Sequence, residues 1–439
     1  MIPASTERPS TLARVRLNIV VLMVALSVMS YFDRTIMSIA GPKIMKELGL
    51  SETEMGLIYS AFILSYALVM IPGGSLADRF GPRVVLSIAG AGAAFFTGLT
   101  ALAGNPILGA TVGILPSFII IRLGFGLTTA PLYPACARLN ANWTPLIDRS
   151  LVQGLIAAGA GIGGAISPFL FSWSITRYGW RMSFFLASVA TAALALMWFG
   201  YVRDDPAEHP AIKIKMVPPG LAASGSSGTD GRGTDWRRLL TNRDLTLLTL
   251  AYFAVCYFEY IFFFWAYYYF GEIRQMGSSS GVMYTTALFL TWTFMSPLGG
   301  WVADRLARRT ERGKSRRIVA VTSLALAAIS LCVGLTVSNQ FATGFLLCMA
   351  LGFASSSDGP FWASAIEVGG KDAGAAGGVL NTGGNLGGFL APVATPFIAS
   401  YFGWSRGLYF GSFVVMLAVL AWFFIGAKRT TGAASLTAE

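Results

Sequence analysis

The chain has 439 residues, of which 54% are hydrophobic and only 12% are charged. That composition excludes an ordinary soluble domain, because so apolar a chain cannot cover its surface with polar groups. The net charge of +11 indicates membrane topology and contact with anionic lipid, and nucleic-acid binding is not expected.

Apolar segments predict twelve membrane-spanning helices, six in each half of the chain. A helix of about 20 residues crosses roughly 30 Å of hydrocarbon. The predicted spans are 17–39, 55–76, 84–103, 107–130, 152–175, 182–202, 246–270, 281–301, 317–336, 341–363, 376–399 and 407–427. We expect an N-terminal bundle (1–202), a linker of flexible composition (203–243) and a C-terminal bundle (244–439).

The basic residues predict the orientation of these spans. Most of the 32 lysines and arginines fall on one side of the membrane if both termini are cytoplasmic, as the positive-inside rule requires. The first span is too long for a signal peptide and carries charged residues, so we expect it in the mature protein. The prediction is a multi-pass protein of the bacterial inner membrane, acting as a monomer.

Charged residues inside the first and fourth spans predict an anionic substrate. Arg34 and Arg122 lie where the bilayer penalises charge. A guanidinium binds a carboxylate through two parallel hydrogen bonds and stays protonated. Alternatively, each arginine reaches the membrane interface or pairs with a neighbouring acid.

Asp33 is adjacent to Arg34, so on a helix the two side chains point about 100° apart and have separate roles. Asp33 either carries a coupled proton or anchors a neighbouring helix. Glu259, in the seventh span, follows Asp33 by 226 positions. We hypothesise that Asp33 and Glu259 both titrate, facing one another across a central cavity. Alternatively, Glu259 is fixed by tyrosines or helps to define the substrate.

The same offset of 226 positions separates two loops. Gly74-Ser-Leu-Ala-Asp78-Arg79 returns as Gly300-Trp-Val-Ala-Asp304-Arg305. Such duplication is typical of transporters whose halves rock around a central site. At the cytoplasmic edge we expect a gate, or charges that serve topology alone, formed by Asp78, Arg79, Arg83, Asp304 and Arg305.

Sequence signals of an enzyme are missing. The single histidine, His209, lies in the linker, the four cysteines lack metal-site spacing, and no Walker-type loop occurs. We therefore expect no enzyme, metal or cofactor. Transport would use an ion gradient, with H+ as the coupling ion and Na+ as the alternative, or run downhill.

The spans, the linker and the paired loops resemble the major facilitator superfamily, over essentially the whole chain. Three segments resemble its anion:cation symporter family, in particular the bacterial galactonate and hexuronate carriers: Tyr31-Phe32-Asp33-Arg34, Ser60-Ala61-Phe62 through Tyr66 to Ile71-Pro72-Gly73-Gly74, and Asn381-Thr382-Gly383-Gly384-Asn385-Leu386-Gly387-Gly388. The resemblance implies an all-α fold of two pseudo-symmetric six-helix bundles.

The resemblance also implies substrate ligands. Tyr66, Trp362, Asn381 and Asn385 stand at family positions, and Tyr31 is expected to join them in reading a hydroxylated chain. A hydrogen bond between helices is the alternative for the two asparagines.

The sequence departs from these carriers at two places. Their fourth-span pattern Gly-x-x-Glu-Ala-Pro is here Gly126-Leu-Thr-Thr129-Ala-Pro, and the tenth span adds Asp358. Asp358 either recognises a cationic or hydroxyl-rich group or accepts backbone hydrogen bonds at a helix break. Thr129, Tyr260 and Asp358 are further candidates for substrate contact or coupling.

The expected function is proton-coupled uptake of a small organic anion, a sugar acid such as an aldonate or hexuronate. Three alternatives stay open. They are uptake of an aromatic carboxylate, dicarboxylate or other organic anion, efflux of drugs or metabolites, and ligand sensing without transport.

Overall fold

The chain is described here by a computed structural model covering residues 9–104, 112–145, 149–212, 236–370 and 373–426. The predicted cytoplasmic termini and the middle of the predicted linker lie outside these residues. The twelve spans are formed, in order, by Pro9–Leu48, Glu52–Phe80, Pro82–Leu102, Ile114–Thr129 with Leu132–Trp143, Arg149–Tyr201 (fifth and sixth), Arg243–Tyr268, Ser278–Ala307, Arg312–Thr336, Gln340–Ser355 with Asp358–Gly369, Ala373–Phe402 and Trp404–Phe424.

Length and composition account for the count of spans. Within the described ranges, nine helices are long and apolar enough to cross a membrane. One of them contains two spans, because the backbone turns at Gly179 with φ 82° and ψ 163°, a conformation that glycine adopts without strain. The eighth and eleventh spans are 30 residues long, but Gly, Pro, Thr and Asn residues lower their mean hydropathy. The predicted all-α, twelve-span fold is confirmed.

The helices extend beyond the predicted apolar segments. The first span, predicted at 17–39, runs from Pro9 to Leu48, because helical hydrogen bonding continues past the hydrocarbon region. The fourth and tenth spans are each interrupted by two non-helical residues, 130–131 and 356–357. These breaks lie 226 positions apart, so the duplication repeats at the level of helix geometry.

Glycines repeat the packing of helices within each half. A Cβ at Gly163 would overlap the carbonyl oxygen of Val28, so the fifth span lies directly against the first. A Cβ at Gly387 would overlap the carbonyl oxygen of Phe253, which places the eleventh span against the seventh in the same way. Small residues allow such close approach in lipid, where van der Waals packing drives helix association.

Two pairs of helices join the halves. The second span lies against the eleventh, where the Ser60 hydroxyl donates to the Phe389 carbonyl at 2.6 Å. The fifth span lies against the eighth, where the ring of Phe289 occupies the space that a Cβ at Gly164 would need. The functional residues predicted in the first, seventh and tenth spans lie between these pairs.

Candidate functional site

Arg34 lies in a box of aromatic rings. Its guanidinium carbon is 4.4 Å from the ring centre of Tyr66, 5.0 Å from that of Phe62 and 5.1 Å from that of Tyr31. The ring faces stabilise the cation. Its Nε and Nη2 are buried without a hydrogen-bond partner in the described part of the chain. Unpaired buried donors cost free energy, so these nitrogens suit an incoming carboxylate.

A small cavity between the halves lies beside Arg34. Its volume is about 30 Å³, room for little more than a water molecule, whereas small-molecule pockets usually exceed about 300 Å³. The site is therefore contracted in this conformation. The cavity is lined by Tyr31, Arg34, Thr35, Phe62, Tyr260, Phe263, Phe264 and Phe289.

Asp33 and Arg122 form a second buried group within the first half. Asp33 is 1% exposed and Arg122 is 4% exposed, and the two interact electrostatically. The Thr191 hydroxyl donates to Asp33 Oδ2 at 2.8 Å, whereas Asp33 Oδ1 and Arg122 Nε and Nη2 have no partner among the described residues. Asp33 thus faces the sixth span, away from the ring box that holds Arg34.

The second half brings Glu259 and Asp358 together. Glu259 is 4% exposed, its Oε1 lacks a partner among the described residues, and it interacts electrostatically with Asp358. Within the described residues, the electrostatic partners of Asp33 and Glu259 are different groups, and titration of both acids across the cavity stays a prediction. No tyrosine hydrogen bond fixes Glu259 within the described ranges.

Asp358 begins the second helix of the tenth span, directly after the break. Its carboxylate accepts long hydrogen bonds from the hydroxyls of Tyr252 (3.5 Å) and Ser296 (3.4 Å). The Trp362 indole in turn donates to the Tyr252 hydroxyl at 3.3 Å. Asp358 lies at a helix break, as one of the two alternatives held, but its partners are side-chain hydroxyls.

Other predicted ligands have partners in this conformation. Asn381 donates to the Met70 sulfur at 2.6 Å across the halves, and Asn385 donates to the Asn381 carbonyl at 2.9 Å. Thr129 is buried and donates to the Phe125 carbonyl at 2.7 Å. These polar groups become available to a substrate only if the helices move or the side chains rotate.

The predicted gate residues lie apart from the cavity. The Arg83 guanidinium donates to the Phe199 carbonyl at 2.8 and 3.2 Å, within the first half. Arg79 and Arg305 are exposed, and the side chain of Asp78 lies outside the described set. Asp304 lines an open basic pocket with Arg308, Arg312 and Arg316. The gating role stays a prediction.

Sequence reasoning missed Asp204. Its Oδ1 accepts the backbone N–H of Arg83 at 2.6 Å, and so satisfies a free donor at the start of the third span. Burial raises the pKa of Asp204, and the Arg83 amide and guanidinium oppose that shift. The only sequence signal was an acid directly after the sixth span.

Comparison with known proteins identifies the architecture. The sequence model of the Major Facilitator Superfamily matches residues 23–313, more than half of the chain. The chain belongs to the major facilitator superfamily. Its fold is shared with a bacterial homologue of the human lysosomal transporter Spinster, crystallised in an inward-facing and unoccupied conformation. The TM-score is 0.76 at 17% identity, over 95% of this chain and 98% of that one.

Sequence relatives within the superfamily are transporters by name. The hexuronate transporter of Bacillus subtilis (strain 168) is 28% identical over 416 residues, which are 92% of this chain and 93% of that protein. The probable sulfoacetate transporter SauU of Cupriavidus necator is 26% identical over 365 residues, 83% of each chain. This member of the superfamily is a transporter and not an enzyme, and a multi-pass protein of the bacterial inner membrane.

Proposed function

We propose that this transporter takes up a small organic anion, a sugar acid of the aldonate or hexuronate class, together with protons. The observation that carries the proposal is the guanidinium of Arg34, which lies in a box of aromatic rings at the cavity between the halves and whose Nε and Nη2 have no hydrogen-bond partner among the described residues. It offers a planar fork that matches a carboxylate. The name of the Bacillus subtilis relative supports the hexuronate class.

Asp33 is the proposed proton carrier. Its Oδ1 has no hydrogen-bond partner among the described residues and lies in one buried group with Arg122, in the same half as Arg34. A buried carboxylate is costly unless it is paired or takes up a proton. Substrate binding at Arg34 and protonation of Asp33 can thus be coupled through the first span, which carries both residues.

Alternating access follows from the duplicated halves. We propose that 1–202 and 244–439 rock as two bundles joined by the linker 203–243, in a monomer with cytoplasmic termini. In this conformation the cavity is contracted, so the rocking motion must widen it to admit a hydroxylated acid. The polar groups of Tyr31, Tyr66, Trp362, Asn381 and Asn385 would then read the hydroxyls.

Uptake into proteoliposomes tests the proposal. Labelled gluconate and glucuronate would be presented with an inward proton gradient, with a protonophore, and with a sodium gradient alone. We expect accumulation that requires the proton gradient in the wild type and is lost in Asp33→Asn. Thr191→Val is the matched control, because it removes the partner of Asp33 but keeps its carboxyl group.

Three results would contradict parts of the proposal. Accumulation that persists in Asp33→Asn would remove the assigned proton carrier. Dependence on sodium alone would replace the coupling ion. If a folded protein transported sulfonates or aromatic carboxylates but neither sugar acid, the substrate class would be wrong.

A further inference from the structure

The proposed carboxylate site at Arg34 does not involve the two buried acidic residues of the second half, Glu259 and Asp358. Glu259 lies in the seventh span and Asp358 in the tenth, and the two interact electrostatically in a buried region. Within the described residues, no lysine or arginine comes within 4 Å of either carboxylate. Two like charges at such a site require a positive partner or a bound proton.

The hydrogen bonds present do not satisfy these carboxylates. Glu259 is 96% buried, with 4% of its surface exposed, yet its Oε1 has no partner in the described part of the chain. The two hydroxyl donors of Asp358 stand at 3.4 and 3.5 Å, at the long limit for hydrogen bonds. The pair therefore has acceptor capacity left for a ligand.

Aromatic side chains lie beside Glu259 and Asp358. The rings of Tyr252 and Trp362 lie 6.5 Å apart at an interplanar angle of 81°, and Tyr252 interacts electrostatically with both acids. Tyr and Trp faces combined with carboxylates suit an organic ammonium group. Within the described residues, no cluster of three or more His, Cys, Asp or Glu side chains suited to a metal ion is present.

Tyr31 lies between Arg34 and the two acids, Glu259 and Asp358. It interacts electrostatically with Arg34 on one side and with Glu259 and Asp358 on the other, and it lines the cavity between the halves. The first half thus presents a cation and the second half presents two acids to the same interior region. A molecule with a carboxylate and an ammonium group on one short chain complements both.

We infer that the substrate carries an ammonium group, bound by Glu259 and Asp358, in addition to the carboxylate bound by Arg34. The inference rests on the proposed function, because it requires Arg34 to hold the carboxylate. The chemical class is an amino sugar acid: a hydroxylated carbon chain with a carboxylate and one amine.

Binding of matched compounds to the purified, detergent-solubilised protein tests this inference without a gradient. The probes are gluconate and two aminated gluconates, in which an amine replaces the hydroxyl at carbon 2 or at carbon 6. We expect at least one aminated compound to bind about tenfold or more tightly than gluconate, a difference of about 1.4 kcal/mol, because its ammonium group makes charge-assisted hydrogen bonds that a hydroxyl cannot.

Variants test whether Asp358 is responsible for the preference for the aminated compound. Asp358→Asn should reduce the affinity ratio between the aminated compound and gluconate to near one. Ser296→Ala is the matched control, because it removes a hydroxyl partner of Asp358 but retains both carboxylates, and the ratio should persist. A symmetric gel-filtration peak and retained gluconate binding report that each variant is folded.

The outcomes separate this inference from the proposed function. If gluconate binds as tightly as both aminated compounds, or if the preference survives in Asp358→Asn, the ammonium site is wrong while sugar-acid transport stands. If none of the three compounds binds to folded protein, the inference is overturned together with the aldonate form of the proposed function, whereas uptake of glucuronate decides the hexuronate form.

Discussion

Arg34 combines two requirements that only arginine meets. Its flat guanidinium packs against three rings and keeps donors free in the plane. Lysine has the same charge, but it cannot stack in this way or form a bidentate bond. The identity of this side chain, beyond its charge, should therefore decide anion affinity.

Arg34→Lys tests this requirement. We expect the affinity for gluconate to fall about tenfold or more, because one of two charge-assisted hydrogen bonds is lost. Isothermal titration calorimetry on the purified protein gives the comparison. Arg177→Lys, at an exposed position outside the proposed site and gate, should leave the affinity unchanged. Equal affinity in Arg34→Lys and wild type would show that charge alone suffices.

Sequence reasoning found residues with intrinsic signals and missed those defined by contact. Charge in an apolar span identified Arg34, Arg122 and Asp33, all of which are buried or half-buried in the structure. The sulfur of Met70, which accepts the Asn381 amide, carries no such signal. This contact is apparent only in the folded structure, where Met70 and Asn381, 311 positions apart in the sequence, lie side by side.

Asp204 and Arg83 illustrate how an element can be capped from a distance. Gly81 stands before the third span and provides no side chain, so the Asp204 carboxylate takes the Arg83 N–H instead. Burial raises the pKa of this group. A folded-state pKa above the unfolded value means that its stabilising contribution is greatest at low pH and declines as pH rises through the folded pKa.

Asp204→Asn and Asp204→Ala should therefore differ. At neutral pH we expect the asparagine variant to be as stable as wild type or slightly more so, because it keeps an acceptor without a charge to desolvate. The alanine variant should lose about 1 kcal/mol, as for other lost helix caps. Thermal unfolding between pH 4 and pH 8 measures this, and equal losses in both variants would exclude the capping role.

Two tryptophans at the starts of the sixth and twelfth spans occupy equivalent positions in the two halves but have different hydrogen-bond acceptors. Trp180 follows Gly179 and donates to Glu47 at 2.7 Å, inside the first half. Trp404 follows Gly403 and donates to Glu52 at 3.2 Å, across the halves. The Tyr268 hydroxyl adds a second bond from the second half to Glu52, at 2.5 Å.

Trp404→Phe should shift the conformational equilibrium, whereas Trp180→Phe should only affect stability. The lost hydrogen bond to a charged acceptor contributes about 1.5–3 kcal/mol. We expect a greater population with separated halves at this face for Trp404→Phe alone, measured by the distance between spin labels at Ser51→Cys and Arg406→Cys. Identical distance distributions in the two variants would argue against a clamp at Glu52.

The break in the tenth span shows how far a sequence pattern can predict where a helix is interrupted. Proline at 131 signals the break in the fourth span, but its repeat partner at 357 is serine. The helices on either side nevertheless begin and end at equivalent positions, 114–129 against 340–355. The two halves thus share this geometry although only the first has proline at the break, so the local residue alone does not determine where the helix is interrupted.

At the scale of the whole molecule, two sets of hydrogen bonds join the halves towards one face of the membrane. Glu52 with Trp404 and Ser60 with Phe389 lie towards the start of the second span, which is the outer side in the predicted topology. On the opposite side, the predicted gate residues Arg79 and Arg305 are exposed. We interpret the conformation as closed to the outside.

Gly56→Ala tests this interpretation, because an added Cβ would overlap the backbone carbonyl oxygen of Pro392 in the closed arrangement. Such overpacking costs about 1–3 kcal/mol, enough to shift a two-state population by about 5–150-fold. We expect longer distances between labels at Ser51→Cys and Arg406→Cys, and reduced uptake, since the transporter would close its outer side less often. Gly154→Ala is the control, as no atom lies within 4 Å of its added Cβ. Unchanged distances in Gly56→Ala, with the fold intact, would mean that the second and eleventh spans do not form the outer closure.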